Sequence, residues 1–148
     1  MDRFALAREL VLRAGEALRG SALAQGEVRE KTGYQDLVTR WDQETEQVLR
    51  RGILEAFPGD AIVGEEYPAR EAAGSEYVWY LDPIDGTTNF VSQHRNYAVS
   101  VGCWRGEEPR FGLVLDVERP ALFWARAGEG AWRDGVPLRT ARRGEPSQ

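Results

Sequence analysis

Trp79-Tyr80-Leu81-Asp82-Pro83-Ile84-Asp85-Gly86-Thr87-Thr88-Asn89-Phe90 is the stretch on which the reading of this chain turns. Val78 to Leu81 is a short apolar run of aromatic and β-branched residues, which predicts a strand covered on both faces. Pro83 has no N–H to give a ladder, so strand pairing is expected to stop about there. Asp82 and Asp85 then stand at the strand's carboxyl end. Gly86 permits a tight reversal, and Thr87-Thr88-Asn89 carries the hydroxyl and amide groups that cap a short helix starting at that point. Free N–H groups at a helix start face an anion. Two hard oxygen ligands beside such a turn make a chemistry of divalent metal plus phosphate. The ordinary alternative is a pair of turn residues, since Asp-Pro and Asp-Gly are common turn dipeptides.

Upstream, Ala61-Ile62-Val63-Gly64 predicts a short strand delivering Glu65 and Glu66 at its end. Adjacent glutamates usually mark a solvated corner, although on an alternating chain only one of them can face inward. A helix is predicted before it, from about Thr39 to Phe57, because Trp41, Thr45, Val48, Leu49, Gly52, Ile53 and Ala56 share one stripe. Pro58-Gly59 stops it. Thr39 is placed as its N-cap with Asp42 three residues on, which gives both a structural role. An opening helix spans about Asp2 to Leu23, with Phe4, Ala7, Val11, Ala14 and Leu18 at intervals of three and four. Between the helices, Val28 to Lys31 is read as a short strand before a loop at Thr32-Gly33-Tyr34-Gln35, with Lys31 exposed. Pro68 to Glu76 reads as a loop or a single helical turn.

Downstream of Phe90 the period becomes alternating. Tyr97, Val99, Val101 and Cys103 form one face of a strand, and Phe111, Leu113, Leu115 and Val117 one face of the next, with Gly106 and Pro109 at the turn. Leu122 to Ala125 and Ala131-Trp132 continue the meander, and Asp134-Gly135 signals a two-residue hairpin. The fold class is therefore α+β, two long helices packed on a largely antiparallel sheet. Residues 1–140 form the domain, and 141–148 have no apolar period and read as a flexible tail. His94, the only histidine, is read as a surface residue.

Composition bounds the function. The chain has 148 residues, 19 basic against 24 acidic, a formal net charge of −5. That balance argues against nucleic acid as a partner, because phosphate backbones select basic faces. Cys103 has no cysteine to pair with and reads as a buried small hydrophobe in a reducing compartment. No apolar run reaches the length of a membrane span and no apolar signal core opens the chain, so the expected location is cytoplasmic.

The twelve-residue stretch from Trp79 closely resembles the signature of the inositol monophosphatase family, the Mg-dependent, Li-sensitive sugar phosphatases. Gly64-Glu65-Glu66 resembles the family's upstream acidic motif, and Asp36-Leu37-Val38-Thr39 with Asp42 its first block, in the family's order and spacing. The resemblance implies a sugar-phosphatase-type fold and a phosphomonoesterase that hydrolyses inositol monophosphate or a related sugar phosphate. It implies two-metal activation of water, with Glu66, Asp82 and the carbonyl of Ile84 at one Mg²⁺, Asp82 and Asp85 bridging to a second, and Mn²⁺ as a substitute. Phosphate would be held by Gly86 and Thr87, and the attacking water oriented by Thr87, Glu66 and Asp42. Lys31 would approach the metals from a mobile loop. The family's second α/β half, whose aspartate completes the metal site, has no counterpart here. The chain is therefore expected to be the amino-terminal half, incomplete alone, and either a homo-oligomer or associated with a partner chain that supplies the rest. A non-catalytic assembly module, half of a split enzyme, and a nucleotide or fructose bisphosphate phosphatase stand as alternatives.

Overall fold

The computed structural model describes residues 1–20, 31–85 and 98–139; for 31–39 and 83–85 it describes the backbone. Two helices, α1 (Arg3–Arg19) and α2 (Lys31–Ala56), precede β1 (Ala61–Val63), β2 (Tyr77–Asp85), β3 (Ala98–Arg105), β4 (Glu108–Asp116), β5 (Ala121–Arg126), β6 (Gly130–Arg133) and β7 (Val136–Pro137). The strands form one seven-stranded sheet in sequence order. β1 and β2 run parallel, and every later pair is antiparallel. This is the α+β architecture that the alternating and helical periods predict.

The core lies between the helices and one face of the sheet. Phe4, Ala7, Val11, Ala14 and Leu18 of α1 are all buried, as their spacing requires, against Trp79, Leu81, Val99, Val101, Cys103, Leu113 and Leu115. Aromatic edges tie these layers. Phe4 meets Phe111 and Trp124 at ring separations of 5.5 and 5.7 Å, and Phe111 meets Trp79 at 5.7 Å. Each such contact contributes about 1 kcal/mol beyond the area it buries. Where the helices touch, Gly52 leaves room for Leu10, whose Cδ1 would lie 2.9 Å from any added Cβ. Cys103 is fully buried, and burial pushes its thiol up to about 12, so it behaves as the apolar residue expected.

Several sequence expectations need correction. α1 ends at Arg19, with Gly20 as its C-cap and Asp2 as its N-cap, Oδ1 accepting from the N–H of Ala5 at 2.7 Å. The expected continuation to Leu23 and the start of the strand at Val28 lie outside the described residues. Lys31 is helical, and so is the expected loop Thr32-Gly33-Tyr34-Gln35, because α2 starts at Lys31 and not at Thr39. Thr39 is thus an interior helical residue and not an N-cap. The reason is that Gly33 costs a helix only about 1 kcal/mol and no proline interrupts residues 31–57, so propagation continues through it. Val48 faces out and Ala56 is exposed, while Glu46 takes a buried place beside Thr45, Leu49 and Ile53.

β2 also runs past Pro83. It pairs with β3 through Asp82↔Ser100 and again through Asp85↔Ala98, with a register shift between them. A bulge is where a strand tolerates a residue without N–H, and β1 has already ended at Val63↔Tyr80. Nor is β2 covered on both faces: Trp79 and Leu81 are buried, but Tyr80 is 46% exposed. Pro109 lies within β4, opposite Trp104 at a second register shift, and not in the turn. The hairpin at Asp134-Gly135 is as expected, both residues having positive φ, 49° and 86°.

Asp60, just ahead of β1, fastens the amino-terminal helix to the sheet. Its carboxylate is 1% exposed and accepts from Arg3 Nε (2.8 Å) and Nη2 (2.9 Å), Ser75 Oγ (2.6 Å) and Trp79 Nε1 (2.8 Å). Burial alone would raise its pKa, but these donors hold it below the ordinary carboxylate value. Arg3 in turn lies over the rings of Tyr77 and Phe57, at 3.7 and 4.1 Å. Replacing Asp60 by Ala strands a guanidinium, a hydroxyl and an indole N–H together. The expected loss, read by urea denaturation at neutral pH, is about 3–5 kcal/mol, and a loss under about 1 kcal/mol would show that the cluster carries little of the fold.

Candidate active site

The site forms where three element ends meet. Parallel pairing of Ile62 with Trp79 and Val63 with Tyr80 sends β1 and β2 out of the sheet at the same edge. Glu65 and Glu66 follow β1 directly, and Asp82 lies two residues beyond the last β1–β2 pair. α2 crosses this edge with Asp42 and Glu46 one turn apart, on the same face.

Asp42 is electrostatically exceptional. Its pKa is raised from 3.8 to about 8, first by burial and then by the negative charges of Glu66, Glu65, Asp82 and Glu46. Its Oδ1 is buried and has no hydrogen-bond partner among the described residues. Glu66 is raised as well, by burial and then by Glu46 and Glu65. Glu46 is completely buried. Its Oε1 accepts the N–H of Glu65 at 2.9 Å and of Glu66 at 3.0 Å, and its Oε2 accepts Arg50 Nε at 2.9 Å. A depression of about 340 Å³ on the sheet's outer face reaches this edge, lined by Val63, Tyr80 and Val114 together with Glu65 and Asp82.

Of the residues expected at the site, the structure brings Asp42, Glu66 and Asp82 into one electrostatic neighbourhood. It places the backbone of Ile84 and Asp85 at the β2 bulge, just beyond Asp82. Gly86, Thr87, the helix expected after them, and His94 lie outside the described residues. Lys31 opens α2, and its side chain is also outside them. Among the described residues, no three acidic, histidine or cysteine side chains stand grouped as a finished metal cage. The donor chemistry nevertheless fits a hard divalent cation: carboxylate oxygens crowded together, one of them buried and without a donor, are relieved by positive charge. Sequence reading missed Glu46. Its signal was available, because a glutamate four residues after Asp42 shares the face that Asp42 presents.

Comparison with known proteins places this geometry in a family. The inositol monophosphatase family profile matches residues 2–148. Inositol-1-monophosphatase of Bacillus subtilis is 38% identical over 134 residues, which cover 90% of this chain and 51% of that protein. The crystal structure of inositol monophosphatase II from Staphylococcus aureus superposes with a TM-score of 0.81 at 35% identity, covering 96% of this chain and 52% of that one. A solved IMPase/NADP phosphatase complexed with Mg²⁺ and phosphate matches with a TM-score of 0.60 at 28% identity, over 66% of this chain and 37% of that one. The chain belongs to the inositol monophosphatase family, a family of phosphatases, and it spans about half the length of the curated relatives it matches. Among the described residues, no helix is long and apolar enough to cross a membrane.

The raised pKa of Asp42 has a stability consequence. The unfolded chain releases this proton near pH 3.8, whereas the folded chain keeps it to about pH 8. Across that window the folded state binds more protons, so its stability falls as pH rises. Asp42→Asn removes the titration. Urea denaturation at pH 5 and pH 8 is expected to show wild type losing at least about 1 kcal/mol more than the variant between those values. Parallel losses in both proteins would mean that Asp42 ionises normally.

Proposed function

We propose that this chain provides the metal- and phosphate-binding half of a Mg²⁺-dependent phosphomonoesterase acting on inositol monophosphate or a related sugar phosphate, with Mn²⁺ as a substitute. One observation carries the reading: Asp42 lies among Glu66, Glu65 and Asp82 with its Oδ1 buried and, among the described residues, without a hydrogen-bond partner. Structural carboxylates are supplied with donors, and an unsupplied one among like charges suits a cation. Family membership and the Mg²⁺ and phosphate in the solved IMPase/NADP phosphatase support the same reading.

In this proposal Glu66, Asp82, the carbonyl of Ile84, and Asp85 hold the cation. Bound there, Mg²⁺ supplies Lewis-acid polarisation of the phosphoryl group and a water of lowered pKa. The backbone N–H groups of Gly86 and Thr87 receive phosphate oxygens. Thr87, Glu66 and Asp42 orient the water, and Asp42 gives up its proton once positive charge offsets its acidic neighbours. Turnover by the chain alone is expected to be low, because the Bacillus subtilis relative extends to about twice the aligned length.

The outer sheet face bears on assembly. Tyr80, Trp104 and Val114 are exposed there, 46%, 38% and 41%, together with the depression beside them. We assign this face to a second polypeptide, either another copy of the chain or one corresponding to the rest of the relatives' length. Light scattering of the purified chain is expected to show a dimer or larger species. A monomer at high concentration that binds no apolar dye would remove the assignment.

Asp82→Asn tests the metal reading, since it keeps the shape of the side chain and removes its charge. Thermal melts with and without Mn²⁺ are expected to show a metal-induced rise in wild type and a clearly smaller one in the variant, whose affinity should fall on the order of ten-fold or more. Equal shifts would leave Asp82 a strand residue with no part in metal binding. Phosphate release measured over inositol, fructose and nucleotide phosphates, with and without Mg²⁺, distinguishes the substrate classes.

A further inference from the structure

We infer that Glu46 is a positioning residue, a buried clamp from α2 that sets how the Glu65-Glu66 corner presents its carboxylates to the cation; the inference rests on the metal reading above. β1 is three residues long and ends at Val63. Beyond it, no backbone-to-backbone hydrogen bond holds residues 64–67 among the described residues. The turn is held from the helix instead. Glu46 Oε1 takes two consecutive amides, those of Glu65 and Glu66, at 2.9 and 3.0 Å. Glu46 Oε2 takes Arg50 Nε at 2.9 Å, and Arg50 Nη2 donates to the carbonyl of Tyr67 at 3.1 Å. Two side chains one helical turn apart thereby fix both ends of the corner.

Two successive amides converging on one oxygen fix the peptide planes on either side of Glu65, and with them the direction of the Glu65 side chain and the point from which Glu66 departs. Gly64 belongs to the same device. A Cβ there would collide with the Glu46 carboxylate, so glycine is needed for the helix side chain to reach the amides. Gly64-Glu65-Glu66 thus reads as space for the clamp followed by the two amides it holds. Glu46 itself is fully buried and already engaged by three donors, so its role is structural. It acts through the corner it holds, as partners of metal ligands generally do.

The test uses the 148-residue chain and two readouts, amide hydrogen exchange at Glu65 and Glu66 without metal, and Mn²⁺ binding followed by electron paramagnetic resonance. Glu46→Ala is expected to lose protection at both amides and to weaken Mn²⁺ binding by about 10–100-fold. Glu46→Gln keeps the accepting oxygen and the volume, so it should retain amide protection and stay within about ten-fold of wild type. Gly64→Ala, which displaces the carboxylate and leaves its charge in place, should behave like Glu46→Ala, and it carries the test if Glu46→Ala does not fold by circular dichroism. Undiminished protection or undiminished Mn²⁺ affinity in a folded Glu46→Ala or Gly64→Ala chain overturns the inference. Absence of saturable Mn²⁺ binding by wild type refutes the metal reading instead and overturns the positioning role with it, while the exchange data still report whether the clamp exists.

Discussion

The parallel pairing of β1 with β2 is the constraint on which the rest depends. Only a parallel pair delivers two carboxyl ends to one edge, and here those ends are Glu65-Glu66 and Asp82. An antiparallel arrangement would separate them by the length of a strand. Such a short pair is weak by itself, and the molecule fastens it at both ends with buried carboxylates. Asp60 grips the entry to β1 through Arg3, Ser75 and Trp79, and Glu46 grips the exit through two backbone amides. Arg70 protects its outer edge, exchanging backbone hydrogen bonds with Ile62 at 2.8 and 2.9 Å.

The buried acidic groups form an instructive series. Asp60 accepts four hydrogen bonds and is held below the ordinary carboxylate value despite burial. Glu46 accepts three. Asp42 is half-buried, with one buried oxygen that has no donor among the described residues, and its proton is held to about pH 8. The three differ in what the fold places opposite each carboxylate as well as in how deeply each is buried. Donors were available nearby, since Arg50 reaches Glu46 one turn further along the same helix. Leaving Asp42 without one costs stability in the metal-free chain, and a cost of that kind is tolerated where another group is to supply the charge.

Much of this was legible in the residues. α1 showed its core face in the spacing of Phe4, Ala7, Val11, Ala14 and Leu18, and the meander showed its faces in the alternation of Val99, Val101 and Cys103 against Leu113 and Leu115. Asp134-Gly135 specified its hairpin through the positive φ both residues adopt. What failed was boundary chemistry. Thr39 resembled a cap because capping is a local pattern, whereas the length of α2 is set by propagation through Gly33. Pro83 resembled a strand end because the rule against it assumes a flat ladder, and the strand bulges there instead. Glu46 was passed over for a different reason: its place on the Asp42 face was readable, but a glutamate on a helix reads as solvated until the tertiary structure shows amides pointing at it.

The expectation that β2 is covered on both faces failed in an informative way. Val78, its cross-strand partner Trp104, and Tyr80 lie on the side away from the helices, and Tyr80 meets Trp104 diagonally, edge-on at 6.4 Å. A one-sided sheet would carry polar residues there, because alternation costs nothing when one face meets water. Gly102 and Gly112, paired across β3 and β4, add a bare floor between larger neighbours. Apolar walls around a glycine floor match the shape of a packing surface, where another polypeptide can approach the sheet closely. Glu65 and Asp82 are among the residues that line that depression. Any polypeptide seated in it would therefore stand at the lip of the acidic edge, excluding water from the place where Asp42, Glu66 and Asp82 converge and strengthening every charge interaction there.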